Sequence, residues 1–160
     1  MSAAPTSSYS GSPFKLDDAG IPVLKTARLT ALEGHQALAH WPVIASILEG
    51  VIPYTCGRLK LEDIRDSVER EDAFIVLAWD PNQGSVYAVF VCEGEAYPHK
   101  KVFNVSQCAG RNLEEWAHLY PDMKRLAKAL GFEQIEITGR PGWGRALGIK
   151  ETSRVYIEEL

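Results

Sequence analysis

Apolar positions along the chain change period from segment to segment, and each period predicts an element. Leu113, Trp116, Tyr120, Met123, Ala127 and Leu130 recur three and four apart, a spacing that gathers side chains on one face of a helix. Gly131 supplies the helix stop. Past it Ile135 and Ile137 alternate with Glu136 and Thr138, the two-residue period of a strand with one face buried. Residues 73 to 79 are apolar throughout, which suits a strand covered on both faces. The turn residues Asp80-Pro81-Asn82-Gln83-Gly84 then lead into a second nearly continuous apolar run over 86 to 92. These two runs are expected to form a central hairpin.

The rest of the chain reads more weakly. Val102, Phe103 and Val105 predict a third strand over 101 to 107, interrupted in character by Asn104. Residues 27 to 32 suit a strand, and Leu38, Trp41, Ile44, Ala45 and Leu48 mark a helix face in which Pro42 fits only in the first turn. Gly50 closes that helix, Pro53 and Gly57 make 51 to 60 a loop, and Leu61, Ile64 and Val68 set a short helix with its charges outward. Residues 142 to 147 suit one helical turn, and 152 to 157 are expected to close the sheet as its last strand. Residues 1 to 20 are rich in Ser, Ala, Pro and Gly and carry too little apolar surface to offset the entropy of ordering them. The expected organisation is therefore an extended arm over 1–22 and one domain over 23–160.

Composition narrows the function classes. A chain of 160 residues is long enough for one core, since a domain of about 150 residues buries about two thirds of its unfolded surface. A net charge of -4, with Lys and Arg scattered, gives no basic footprint for a phosphate backbone, which argues against a nucleic-acid partner. Cys56, Cys92 and Cys108 are an odd number without the paired spacing of a zinc site or a secreted disulfide framework, and read as reduced thiols. No metal is expected: His35 and His40 are five apart and do not share a helical face. No run approaches the roughly 18 apolar residues of a membrane span, and the N-terminus lacks the charged and apolar regions of a signal peptide. A soluble protein is expected, with no membrane partner.

The order of motifs carries a resemblance. Tyr97-Pro98, Cys108-Ala109-Gly110, Trp116 and Gly139-Arg140-Pro141-Gly142-Trp143 follow one another over roughly residues 72 to 160. That stretch resembles the second half of the GNAT acetyltransferase superfamily, and more narrowly small phage-encoded GNAT-like proteins. The resemblance implies an α/β fold with a mixed sheet of five or six strands flanked by helices. It also implies that the strands beginning at Lys101 and after Phe132 are parallel neighbours joined by the helical segment.

The same resemblance implies acetyl-CoA as cofactor and assigns candidate residues. Its pyrophosphate is held on backbone amides at a helix start, where unpaired N–H groups and the helix dipole meet the anion. Gln107 and Gly110 fit the family's loop pattern, Asn112 stands where a smaller residue is usual, and Arg111 offers a cation. The alternative for the same residues is structural: Gly110 allows a bend and Asn112 caps the following helix through its side-chain oxygen. The family's general acid, commonly a Tyr before a Gly-Phe pair, maps onto Trp143, whose indole has no usable pKa for proton transfer. For the general base, Glu93 and Glu95 follow a central strand, with His99 and His118 near loops; solvated acids at strand ends are the alternative. Trp41, Trp79 and Trp116 fall in step with core positions, whereas Trp143 between two glycines suits packing and contact equally.

Two functions follow. In the first, the chain is a phage GNAT-fold protein acting mainly through protein contacts, a minor or internal virion component or an infection-stage factor. Its partners would be other virion or host proteins, reached through residues 1–20, with an oligomer left open and the virion or host cytoplasm as location. In the second, it is an acetyl-CoA-dependent N-acetyltransferase acting on an amine, with Glu93 or Glu95 as base and the 107 to 112 loop on the cofactor.

Overall fold

A computed structural model describes residues 12–160. Its centre is a five-stranded sheet in the order β3-β4-β5-β6-β7, formed by Arg28–Leu32, Phe74–Asp80, Ser85–Ala96, Lys101–Gly110 and Gln134–Ile137. The first four strands are antiparallel neighbours, and β7 lies parallel to β6. The predicted hairpin of apolar runs is β4 and β5, with Val76 opposite Phe90 and Ala78 opposite Ala88.

Helices cover both faces, which is why β4 and the first half of β5 read as unbroken apolar runs. On one face α1 (Gly34–Ala39), α2 (Trp41–Leu48) and α3 (Leu61–Glu69) bury Ala37, Ile44, Leu48, Ile64 and Val68 against Ile75, Leu77, Val89 and Val91. Pro42 occupies the first turn of α2, where its missing N–H costs nothing, and Leu38 belongs to the separate helix α1. The opposite face carries α4 (Leu113–Trp116), α5 (Tyr120–Ala129) and α6 (Pro141–Leu147). There Trp116, Leu119, Met123 and Ala127 close over Phe90, Phe103 and Val105. Edge-to-face aromatic pairs order this core: Phe90 on Trp116 at 5.4 Å, Phe74 on Phe103 at 5.6 Å and Phe103 on Phe132 at 5.5 Å. Such pairs are worth about 0.5–1.5 kcal/mol each beyond their buried area.

Four expectations need correction. The single helix predicted from Leu113 to Leu130 is split into α4, a 3-10 turn over Ala117–Leu119, and α5. Pro121 explains the break, because its ring excludes the N–H that would continue a helix through Tyr120. The arm expected over 1–22 is not extended throughout. Phe14–Leu16 (β1) and Pro22–Leu24 (β2) pair as a hairpin, and residues 1 to 11 lie outside the described residues. Asp17 Oδ1 accepts from the N–H groups of Ala19 and Ile21, Gly20 takes φ +79, and Lys15 reaches Glu115 at 2.8 Å. β6 runs three residues beyond its predicted end, to Gly110. Last, residues 152 to 157 form no strand: after α6 the segment carries no regular structure, and Val155 and Tyr156 are 75% and 86% exposed. Among the described residues no helix is long and apolar enough to cross a membrane.

Candidate active site

The parallel pair β6 and β7 parts company halfway. Val102 through Val105 pair with Gln134 through Ile137, and Thr138 N–H still donates to Val105 O at 3.1 Å. Beyond that point β6 continues from Ser106 to Gly110 with β5 on one side and, among the described residues, no strand on the other. The gap begins at a β-bulge. Gln107 lies opposite Val91 and Val105 opposite Cys92, so Ser106 is the extra residue. The bulge also shows in the packing: Val105 and Cys108, three apart, both join the α4–α6 core, which strict alternation forbids. Ser106 Oγ donates to Val91 O at 3.3 Å and fixes the bulge against β5.

The segment expected to cradle a phosphate is the far end of this strand. Arg111 N–H donates to Tyr87 O at 2.8 Å, so that amide is committed to the sheet. Antiparallel alternation then turns the N–H groups of Gly110 and Cys108 toward the open side, where they form a free strand edge. Gly110 is a strand residue and not a bend. A Cβ there would lie 2.7 Å from Ala88 Cβ and 2.8 Å from Tyr87 O, so close strand approach accounts for the glycine. The bend falls at Asn112, at φ 53 and ψ 50. Its side chain makes no capping hydrogen bond, because side-chain capping needs an extended backbone at that position; the Asn112 carbonyl instead accepts from Glu115 N–H at 2.8 Å. Gln107 is half-buried and Arg111 exposed. α4 is one turn long and carries Glu114 and Glu115 in that turn, so its own dipole gives little to an anion. Lys15 neutralises Glu115 at this end.

Glu93 and Glu95 lie on the other side of the bulge. Glu93 pairs with Asn104 and Glu95 with Val102. Alternation places both carboxylates on the α1–α3 face. Gly94 between them faces the other way, since a Cβ there would meet the Phe132 ring at 2.8 Å. Glu95 is tied down, accepting from Tyr97 Oη at 2.7 Å and from Asn104 Nδ2 at 2.8 Å. Glu93 has no such partners among the described residues and is half-buried. Burial raises its carboxyl above the ordinary range, with Glu95 and Asp72 adding repulsion. Asn104 Oδ1 beside them is buried and accepts no hydrogen bond among the described residues. Tyr97 and Glu136 help line a groove of about 340 Å³ at this end of the sheet.

The structure thus separates the candidate residues into two groups flanking Ser106. It also brings in residues that sequence reasoning passed over. Arg140, at the start of α6, stacks its guanidinium over the Tyr54 ring at 4.6 Å. Arg140 also acts electrostatically on Cys108, partly opposing the burial that pushes that thiol up. The pair therefore spans from the loop after α2 across to the β7–α6 connection. Trp143 packs on Trp116 at 5.3 Å, approaches Gly139 and is half-buried. His118 is half-buried with Nδ1 unpaired among the described residues, and burial and Lys25 lower its pKa against the opposing pull of Asp122 and Glu115; it sits in the 3-10 turn between α4 and α5. His99 lies in the β5–β6 turn, lining the groove beside Tyr97. A sequence signal for the bulge was present in the apolar phase, which steps from Phe103 to Val105 and then skips to Cys108.

No protein-family model and no curated protein matches the chain. Solved structures do. A probable acetyltransferase is similar at 13% identity with a TM-score of 0.58, covering 83% of this chain and 96% of that one. An aminoglycoside acetyltransferase from an uncultured soil metagenomic sample, solved with sisomicin, is similar at 12% identity and a TM-score of 0.58, over 84% and 97%. A GNAT family acetyltransferase of Staphylococcus aureus gives 9% identity and 0.58, over 84% and 99%. Taken with the parallel β6–β7 pair that separates at a bulge, these likenesses make the fold that of the GNAT acetyltransferases.

Proposed function

We propose that the protein is an N-acetyltransferase that moves an acetyl group from acetyl-CoA to an amine. The observation that carries this reading is the gap beside Ser106 to Gly110, where β6 has no partner strand on its β7 side among the described residues, with a half-buried carboxylate on β5 across the bulge. The residues present fit the cofactor in part. The Cys108 and Gly110 N–H groups offer an edge for the amide groups of its arm, and Arg111 offers a cation for its phosphates, while the one-turn α4 adds little. Acetyl-CoA supplies an activated acyl group as a thioester.

Glu93 is the better of the two candidate bases. It takes the proton from the acceptor ammonium, and a carboxyl pKa raised by burial makes it a stronger base than an ordinary Glu. Glu95, held by Tyr97 and Asn104, positions the face and keeps Glu93 charge-repelled. Trp143 has no proton to give the leaving thiolate; as the C–N bond forms and the C–S bond breaks, the second proton lost by the amine nitrogen would reach the sulfur through solvent. Isothermal titration with acetyl-CoA, followed by thiol release with a set of primary amines, tests the reading. Micromolar binding and turnover abolished by Glu93→Gln support it, and no heat at millimolar acetyl-CoA refutes it.

A second reading, action through protein contacts in a virion or on a host protein, has one observation in its favour. The β1–β2 register puts Phe14 opposite Leu24 and Leu16 opposite Pro22, one apolar face on which Phe14, Leu16 and Leu24 are 53%, 68% and 60% exposed. Co-purification of the chain with particles, lost on Leu16→Asp, would support that reading.

A further inference from the structure

We propose that Asn104 is a positioning residue for Glu93: its side-chain oxygen accepts a hydrogen bond from the Glu93 carboxyl once that carboxyl holds a proton. Its part in catalysis rests on the acetyl-transfer reading, whereas the hydrogen bond itself does not.

The ladder brings the two together. Glu93 on β5 and Asn104 on β6 stand directly opposite each other. Phe103 and Val105 turn into the α4–α6 core, so Asn104 between them shares the α1–α3 face with Glu93. Opposite residues of an antiparallel pair hold their Cβ atoms about 4.5–5.5 Å apart, close enough for a Glu carboxyl to meet an Asn amide.

The orientation of that amide is set by its nitrogen. Asn104 Nδ2 donates to Glu95 Oε1 at 2.8 Å, and a flipped amide would set its oxygen against that carboxylate instead. Oδ1 is thereby left buried with nothing to accept from among the described residues, and a buried acceptor without a donor is costly. The neighbours on this face are acceptors too. Glu95 lies two residues along β5, Glu136 is in register with Asn104 on β7, and Asp72, held by Arg70 at 3.0 Å, acts on Glu93 from the α3–β4 turn. Neither Glu93, Glu95 nor Glu136 pairs with a cation among the described residues.

A carboxyl group is the one kind of group there that changes from acceptor to donor, by taking up a proton. Burial already favours the protonated form of Glu93, and a bond to Asn104 Oδ1 favours it further, because only the neutral acid can make it. In acetyl transfer the acceptor ammonium passes one proton to the Glu93 carboxylate, which leaves a neutral amine and a carboxylic acid. Asn104 then holds that proton away from the amine while the C–N bond forms, and the acid returns it to solvent afterwards.

Carbon-13 NMR of the full chain, labelled at the Glu δ-carboxyl and the Asn γ-carbonyl, tests the hydrogen bond from about pH 3 to pH 9 with no substrate present. The Asn104 carbonyl signal should move with the Glu93 carboxyl, at a midpoint above the ordinary value of about 4.3. That movement should vanish in Glu93→Gln, in which Glu95 still titrates. A signal that stays flat in the parent, or moves unchanged in Glu93→Gln, overturns the inference. With an amine substrate, Asn104→Leu should shift the acid limb of the kcat profile by about one pH unit toward acid and leave KM unchanged, and an unmoved limb overturns the positioning role. Absence of thiol release from every amine would defeat the acetyl-transfer reading alone, with the substrate-free titration still deciding the hydrogen bond.

Discussion

Replacing Gly110 with Ala separates a sheet role for this residue from a ligand role. The added Cβ would sit 2.7 Å from Ala88 Cβ, 2.8 Å from Tyr87 O and 3.0 Å from Ala88 Cα. Carbon atoms settle at about 3.5–4.0 Å, so β5 and β6 must separate locally by close to an ångström. Two of those three contacts are backbone atoms and the third is a Cβ, so no flexible side chain can swing away. The Arg111 N–H bond to Tyr87 O at 2.8 Å must stretch with them. Overpacking of this kind costs about 1–3 kcal/mol. Urea denaturation should show a lowered midpoint with an unchanged slope. The melting temperature should fall by about 2–4 °C for each kcal/mol lost. Gly142→Ala is the control: a Cβ there has nothing within 4 Å, so it should match the parent or exceed it. Equal stability of the two variants would refute the reasoning. Because a larger residue at 110 unsettles the sheet first, loss of acetyl-CoA binding in such a variant would say little about the cofactor.

Arg111 is the cleaner probe of the cofactor: Arg111→Ala should leave the urea midpoint unchanged and weaken acetyl-CoA about three- to tenfold in titration, an effect that shrinks as salt is raised. Glu93→Gln should abolish amine-dependent thiol release and raise stability at pH 7. The folded pKa of Glu93 is raised, so its stabilising contribution is present below the unfolded value of about 4.3 and lost as pH rises; the variant's advantage should therefore vanish in acid, which melts from pH 4 to 8 will check. Asp80 runs the other way: the Thr26 hydroxyl at 2.7 Å and the Asn82 and Gln83 N–H groups hold its carboxyl below the usual range. Its stability contribution is present above about 3.9 and lost as pH falls, so Asp80→Asn should melt lower at pH 7 and converge on the parent below pH 3.

What could be read in advance was set by burial. Where both faces of a strand are covered, as in β4, an apolar run announces it, and the switch from Ala127 and Leu130 to Ile135 and Ile137 announced a helix followed by a strand, whose parallel pairing came from the family resemblance. Features decided by a single residue against its surroundings were harder. Pro121 divides a helix whose apolar period runs straight through it. Ser106 inserts one residue into a ladder, which only the Val105-to-Cys108 skip betrays. The hairpin at 14 to 24 rests on an Asp17 turn and on a lysine meeting Glu115 a hundred residues away, a contact that local composition does not contain. Residues 152 to 157 have a strand's alternation, but alternation supplies no neighbour to pair with. At the site, the acidic residues were visible as such, whereas the separation of Glu93 from Glu95 by hydrogen bonding was not: it depends on Asn104 facing them from β6.

The stacked Arg140 and Tyr54 carry a consequence for how α6 is held. A guanidinium 4.6 Å over the ring joins the start of α6 to the 3-10 turn after α2, two segments far apart along the chain. At a ring 62% exposed such a contact is worth about 0.5–1 kcal/mol. It biases where the helix begins without fixing it.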